Sequence, residues 1–177
     1  MDDRRTTERK SVVPLKLTIE LVPESSWGVN ARGVRNREIW DRIRRMVTAN
    51  VDGICEICGH SARIECHEVW NYDDTTFVQS LVGVVALCHL CHAAKHPGRL
   101  EVGSDASKAV FEHYMKVNGV TRSQFQEQLR DAFTLWSERS KHQWRVDMSL
   151  IHELIKATGQ TSYLDDSQGS QNGEGSE

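Results

Sequence analysis

Cys55-Glu56-Ile57-Cys58 and Cys88-His89-Leu90-Cys91-His92-Ala93-Ala94-Lys95-His96 are the stretches that decide the fold, with 29 residues between Cys58 and Cys88. Two CxxC pairs supply four thiolates, and tetrahedral zinc takes four soft ligands delivered by such turns. The interval is too long for a minimal zinc ribbon, so a further motif is expected inside it. The four cysteines are read as a staple that folds the site and takes no part in its chemistry. A fifth cysteine, Cys66, makes the count odd, which argues against complete internal pairing. The N-terminus, Met1-Asp2-Asp3-Arg4-Arg5, has no apolar core like that of a signal peptide, so a cytoplasmic and reducing location is expected, where disulfides are a poor explanation for cysteines.

Inside the interval, Arg63 to Tyr72 (RIECHEVWNY) is rich in strand formers, residues 73–80 form a polar connection, and Leu81 to Leu87 (LVGVVAL) is a short apolar strand. A short helix follows from Cys91 to His96 and is stopped by Pro97-Gly98. The expected order is strand, strand, helix. His92 and His96, four residues apart, share one helical face and form a ready ligand pair for a divalent cation. His67 lies on the first strand, where closure of the knuckle brings it toward His92. Such a cluster suits phosphodiester hydrolysis, in which a metal neutralises phosphate charge and a neutral histidine takes a proton from water. His60 is the histidine best suited to an ordinary surface role.

Other readings of the same residues are weaker. Cys88-His89-Leu90-Cys91-His92 fits the CxxCH signature of covalent haem attachment, but that chemistry needs export and leaves the other CxxC without a role. No thioredoxin-like setting surrounds either pair. The His67-Glu68 pair does not open the HExxH of a zinc protease, because position 71 is Asn.

CEIC at 55–58, ECHEVW at 65–70 and ALCHLCHAAKH at 86–96 together resemble the HNH, or His-Me finger, endonucleases. The resemblance covers roughly the middle quarter of the chain. It implies two antiparallel strands and a helix around a metal, with a zinc knuckle. It puts the general base on His67, the helix-borne ligand of the catalytic metal on His92, and a further ligand on His96. It implies DNA as partner, a structural zinc, a catalytic divalent cation such as Mg²⁺ or Mn²⁺, and products with 5′-phosphate and 3′-hydroxyl ends. The chain departs from the pattern at two positions. Cys66 stands where the family carries a metal-binding Asp or His, so Glu68 or Cys66 is the candidate for that ligand. The bracing asparagine would fall near Gly83, and Gln79 is the candidate brace of the loop instead.

Residues 1–33 are an irregular extension in which Lys16 to Val22 alternates weakly like a short strand. Val34 to about Asn50 is helical, with Ile39, Trp40, Ile43, Met46 and Val47 at three- and four-residue spacing. Helices are expected over 105–117, with Ala109, Val110, Tyr114 and Val117 on one side, and from about Thr121 to His142, opened by a Thr121/Gln124 capping box. A short helix is expected over 149–157. Residues 159–177 read as a disordered tail. The expected organisation is an extension (1–33), a nuclease domain with its leading helix (34–103), a C-terminal helical region (104–158) and the tail (159–177), all in the α+β class. Trp27, Trp40 and Trp70 are expected to pack in a small core, and Trp136 and Trp144 to lie on the C-terminal helices.

Net charge is -3, but Arg32, Arg35, Arg37, Arg42, Arg44 and Arg45 crowd residues 32–45. Local charge matters more than the total for phosphate contact, so Arg42 and Arg45, with Lys95 and Arg99 beside the metal helix, are the candidate DNA contacts. No run of about 18 apolar residues marks a membrane span. The alternative function is a zinc-knuckle DNA-binding or interaction module without catalysis.

Overall fold

The computed structural model describes residues 14–29 and 37–157. The first thirteen residues, Arg32, Arg35, the expected helix start at Val34 and the tail from 159 lie outside the described residues. Among the described residues the chain is α+β. Three strands, β1 (Ile64–Asp73), β2 (Val78–Cys88) and β3 (Arg145–Asp147), form one sheet in the order β1-β2-β3. Five helices accompany them: α1 (Arg37–Ala49), α2 (His89–Lys95), α3 (Asp105–Asn118), α4 (Arg122–Arg139) and α5 (Ser149–Ala157). None is long and apolar enough to cross a membrane.

β1 and β2 form an antiparallel hairpin that faces His67 with Val85 and Cys66 with Ala86. Its turn is held by Asp73, whose carboxylate accepts from the Thr75 and Thr76 amides and from the Thr76 hydroxyl; this is the Asx pattern that reverses a chain. The strands extend further toward the turn than expected, so Gln79 lies within β2 and not in a loop. The register slips between Val69 and Trp70, where Val69 faces Gly83 and Trp70 faces Leu81. Such a bulge re-aims side chains at a functional rim.

Alternation along β1 divides its side chains between two layers. Cys66 joins Trp40 and Ile43 of α1, Leu81 of β2 and Ile151 of α5 in one buried cluster. Glu65 and His67 turn to the opposite face, where α2 lies. A second cluster gathers Leu87, Ala94, Val110, Tyr114 and Phe125 around the knuckle cysteines. α3 is capped by Ser104 and ends at Gly119, whose φ of 64° is the left-handed geometry that terminates a helix. The Thr121/Gln124 capping box is present at the start of α4.

Lys16 to Val22 does not join the sheet. Leu17 N–H donates to Asn118 Oδ1 (3.0 Å), Asn118 Nδ2 donates back to the Leu17 carbonyl (2.8 Å), and Glu20 N–H donates to the Lys95 carbonyl (2.9 Å). The ends of α2 and α3 thus satisfy the backbone that a neighbouring strand would otherwise pair. β3 was not expected. Its three residues run parallel to Val78–Ser80 of β2 and are too few to show an alternation. α4 ends at Arg139, where the guanidinium holds both Asp74 oxygens (2.7 and 2.8 Å) and stacks over Tyr72 at 4.3 Å. Trp144 is buried, but it precedes β3 and belongs to no helix; Ala109 is exposed. Trp27, expected in the core, is 70% exposed.

Leu17 is fully buried in the knuckle cluster. Its replacement by Ala should destabilise the protein by roughly 2–5 kcal/mol, the cost of a buried Leu-to-Ala cavity. A shift of the urea unfolding midpoint with an unchanged slope measures it, and an unchanged midpoint would show that residues 14–29 are not integral to the core.

Candidate functional site

The knuckle is built by two turns. Cys55 N–H donates to the His60 carbonyl and Gly59 N–H to the Cys55 carbonyl. Gly59 has a φ of 72°, a left-handed conformation for which glycine has no steric cost. Glu56 fastens this loop to β2: its N–H donates to the Ala86 carbonyl and its carboxylate accepts from the Ala86 amide. Cys88 ends β2 and caps α2, so Cys91 sits one turn inside the helix.

The four sulfurs lie within 4.8 Å of one another, and Cys58 and Cys88 are 3.7 Å apart. A zinc–sulfur bond of about 2.3 Å in tetrahedral geometry places sulfurs about 3.8 Å apart, whereas a disulfide needs about 2.05 Å. None of the five cysteines forms a disulfide. Burial would raise the Cys55 thiol, but backbone N–H groups of Cys58, Cys88 and Ile57 outweigh it and bring it down to about 7. Burial and the neighbouring sulfurs push Cys88 and Cys91 up. A cation at the centre of four such crowded sulfurs would favour their thiolate forms, and the donor set fits a structural metal ion. The His113 ring nitrogen lies 3.1 Å from the Cys91 sulfur, as a hydrogen-bond donor to a ligating thiolate would.

The second cluster is His67, His92 and His96, whose ring nitrogens also lie within 4.8 Å of one another. His67 comes from β1, His92 from α2, and His96 from the residue that ends α2. Ring centroids are 5.1 Å apart for His67 and His92 and 5.0 Å for His67 and His96. Burial, then the neighbouring His67 and Arg99, lowers His96 to about 4, so its imidazole is neutral at pH 7 and able to ligate a cation.

Two carboxylates that sequence reasoning did not find stand behind these rings. Glu20 accepts from His67 Nε2 at 3.0 Å and forms an ion pair with Lys95. Burial would raise its carboxyl, but the His67 hydrogen bond and the Lys95 charge overcome this and lower it from 4.5 to about 2. Glu65 contacts His92 Nδ1 and, at 3.1 Å, His89 Nδ1; burial opposes ionisation there too, and the two histidines lower its carboxyl. Glu65 had a signal: it lies two residues before His67 and therefore on the same face of β1. Glu20 had none, because its approach depends on how the N-terminal segment crosses α2.

A cavity of about 190 Å³ opens over the histidines, with Cys66, Glu68, Trp70 and Arg99 among its lining. Among the described residues neither Cys66 nor Glu68 joins the histidine cluster. Lys95, expected at phosphate, is only 5% exposed and donates to Glu20 and Thr18. Arg42 and Arg45 are exposed on α1, and neither lines the cavity. Gln79 is fully buried and accepts from the Ser26 hydroxyl (2.7 Å), so it braces the N-terminal segment and not the surroundings of His67. Comparison with known protein families, curated proteins and solved structures finds no match.

Purified protein should carry one zinc at the four cysteines, and a strong chelator should unfold it cooperatively. Structural zinc contributes about 10–16 kcal/mol in small zinc domains at pH 7, comparable to a whole domain's stability. Retention of native circular dichroism after complete zinc loss would refute the staple. The depressed Glu20 carboxyl also sets an acid response. Its contribution is complete above pH 4.5 and is lost as pH falls toward 2, on the order of 3 kcal/mol at about 1.36 kcal/mol per pKa unit. The stability gap between wild type and Glu20→Gln should therefore be largest near neutrality and close over that interval.

Proposed function

We propose that this chain is a metal-dependent endonuclease of the HNH, or His-Me finger, type that hydrolyses DNA phosphodiester bonds with His67 as general base. The observation that carries this reading is the convergence of His67, His92 and His96 on one cavity, with Glu20 behind the first ring and Glu65 behind the second. Support also comes from the hairpin-then-helix order of β1, β2 and α2 with a four-cysteine cluster at its end, the order that the resemblance to HNH endonucleases implies.

Glu20 accepts at Nε2 of His67, so the proton resides there and Nδ1 is the basic nitrogen. In the proposed step, His67 Nδ1 takes a proton from water while the water oxygen bonds to phosphorus. The P–O3′ bond breaks, its electron pair stays on the 3′ oxygen, and solvent supplies that oxygen's proton. The ends formed are a 5′-phosphate and a 3′-hydroxyl. Glu20 stays ionised and stabilises the imidazolium that forms, as the carboxylate of a catalytic triad does. Lys95 holds the other Glu20 oxygen and fixes the carboxylate in place. His92 and His96 are the residues that would hold the divalent cation, with Glu65 orienting His92. When bound, the cation neutralises phosphate charge and stabilises the leaving oxygen. Imidazole donors suit Mn²⁺ and other transition metals better than Mg²⁺. Arg99, exposed at the cavity rim, is the cation best placed for a flanking phosphate.

One observation favours a second reading, a zinc-knuckle DNA-binding module without catalysis. Cys66, at the position where the family carries a metal ligand, is buried with Trp40, Ile43 and Leu81.

Nicking of supercoiled plasmid with added Mn²⁺ or Mg²⁺ separates the two. His67→Ala, still holding one zinc, should cut roughly 10²–10⁴-fold more slowly, the usual contribution of a general base. Glu20→Gln should lose roughly 10–100-fold and shift the pH profile, as expected when the partner of a catalytic ring is removed. Wild-type rates in His67→Ala would remove His67 from the role of base. DNA binding by zinc-loaded wild type with no cleavage in any metal would establish the second reading.

A further inference from the structure

Next to the histidine cavity lies a second one of about 330 Å³ that the proposed chemistry leaves unused. Its walls include Leu21 and Val22 of the N-terminal segment, Trp27, and Trp136 of α4. The volume is at the small end of ligand pockets, which run roughly 300–1,000 Å³. Trp136 is fixed, because its indole N–H donates to the Val22 carbonyl at 3.0 Å. Trp27 is not packed away: at 70% exposure it is an indole presented to solvent. Trp27, Val22, His96 and Arg99 line both cavities, so the two adjoin across a shared wall.

We propose that the second cavity receives one unstacked base of a DNA strand whose phosphate lies over the histidines. Three observations select this occupant. An exposed indole beside an arginine is the platform on which an unpaired base stacks, with the cation at the backbone. Glu24 lines the second cavity; its carboxylate repels phosphate but accepts from the ring N–H and amino groups of a base. The shared rim places the base and its phosphate on opposite sides of His96 and Arg99. This inference rests on the nuclease reading for the second cavity's neighbour, and it adds the substrate class: single-stranded or locally unpaired DNA, since a paired base cannot leave its stack without cost.

Fluorescence anisotropy with labelled strands and zinc-loaded protein, without any added divalent cation, tests the pocket apart from cleavage. A short single-stranded DNA should bind more tightly than a blunt duplex of the same sequence. Trp27→Ala should weaken single-strand binding about tenfold, the effect of losing one base–aromatic stack, and leave duplex binding unchanged. Trp27→Phe should restore most of the loss. An abasic strand of the same length, which keeps the phosphates, should bind wild type and Trp27→Ala equally. Single-strand binding that is absent, that is insensitive to Trp27→Ala, or that weakens equally for the abasic strand overturns the base pocket. Trp27-dependent binding with no cleavage in any metal keeps the pocket and removes the nuclease reading. Metal-dependent cleavage without Trp27 dependence does the reverse.

Discussion

The closeness of four sulfurs, two from the loop after α1 and two from the junction of β2 and α2, is the constraint on which the structure depends. A hairpin and a seven-residue helix bury too little to hold each other in register. Joining Cys55 and Cys58 to Cys88 and Cys91 fixes the start of α2 against the end of β2. With that start fixed, α2 carries His92 next to its last cysteine, and His96 caps the C-terminal end of the helix. The pleat of β1 puts Glu65 and His67 on the face they meet. The 3.7 Å between the Cys58 and Cys88 sulfurs matches the ligand spacing of tetrahedral zinc. His113, reaching from α3 to Cys91, and Glu56, paired with Ala86, tie the knuckle to the rest of the molecule.

A second constraint is a buried charge network. Glu20, Lys95 and His67 form one chain of contacts in which Lys95 and His67 are almost completely enclosed. Buried charges are tolerated only when paired and hydrogen-bonded. Glu20 satisfies both neighbours at once and is held ionised by them. This gives residues 14–29 a chemical as well as a packing role. Leu17 anchors the segment in the core through Asn118, and three residues later Glu20 reaches the ring proposed as the base. The same chain continues through Ser26 to Gln79 and presents Trp27 outside the core. One segment therefore supplies both the partner of His67 and a wall of each cavity.

Sequence patterns located the elements whose signals are local. The four cysteines and the His92/His96 pair were legible because short spacings bring side chains together in turns and at a helix end, and His67 because the strand-strand-helix order returns β1 to the start of α2. The helix over 149–157 and the Thr121/Gln124 cap were legible because caps and periodicity act within a few residues. Glu65 is legible from strand alternation, which puts it on the same face of β1 as His67. The placements of Lys95 and Trp27 ran against residue-type expectation. A lysine beside a metal helix usually stays in water, but here a buried carboxylate draws it inward. A tryptophan usually packs in a core, but the turn at 24–26 directs Trp27 out of it.

By itself the sequence determined the α+β class and the cysteines and histidines that cluster, since these follow from side-chain spacing and from the two periodicities of helix and strand. Tertiary structure alone decided which carboxylates stand behind those histidines, that Lys95 is sealed inside, that Gln79 serves the N-terminal segment, and that β3 completes the sheet. Glu20 and Lys95 are 75 residues apart in sequence, and Arg145 and Phe77 pair across a similar distance. Contacts at that separation depend on how whole elements pack, and no local pattern of residues encodes them.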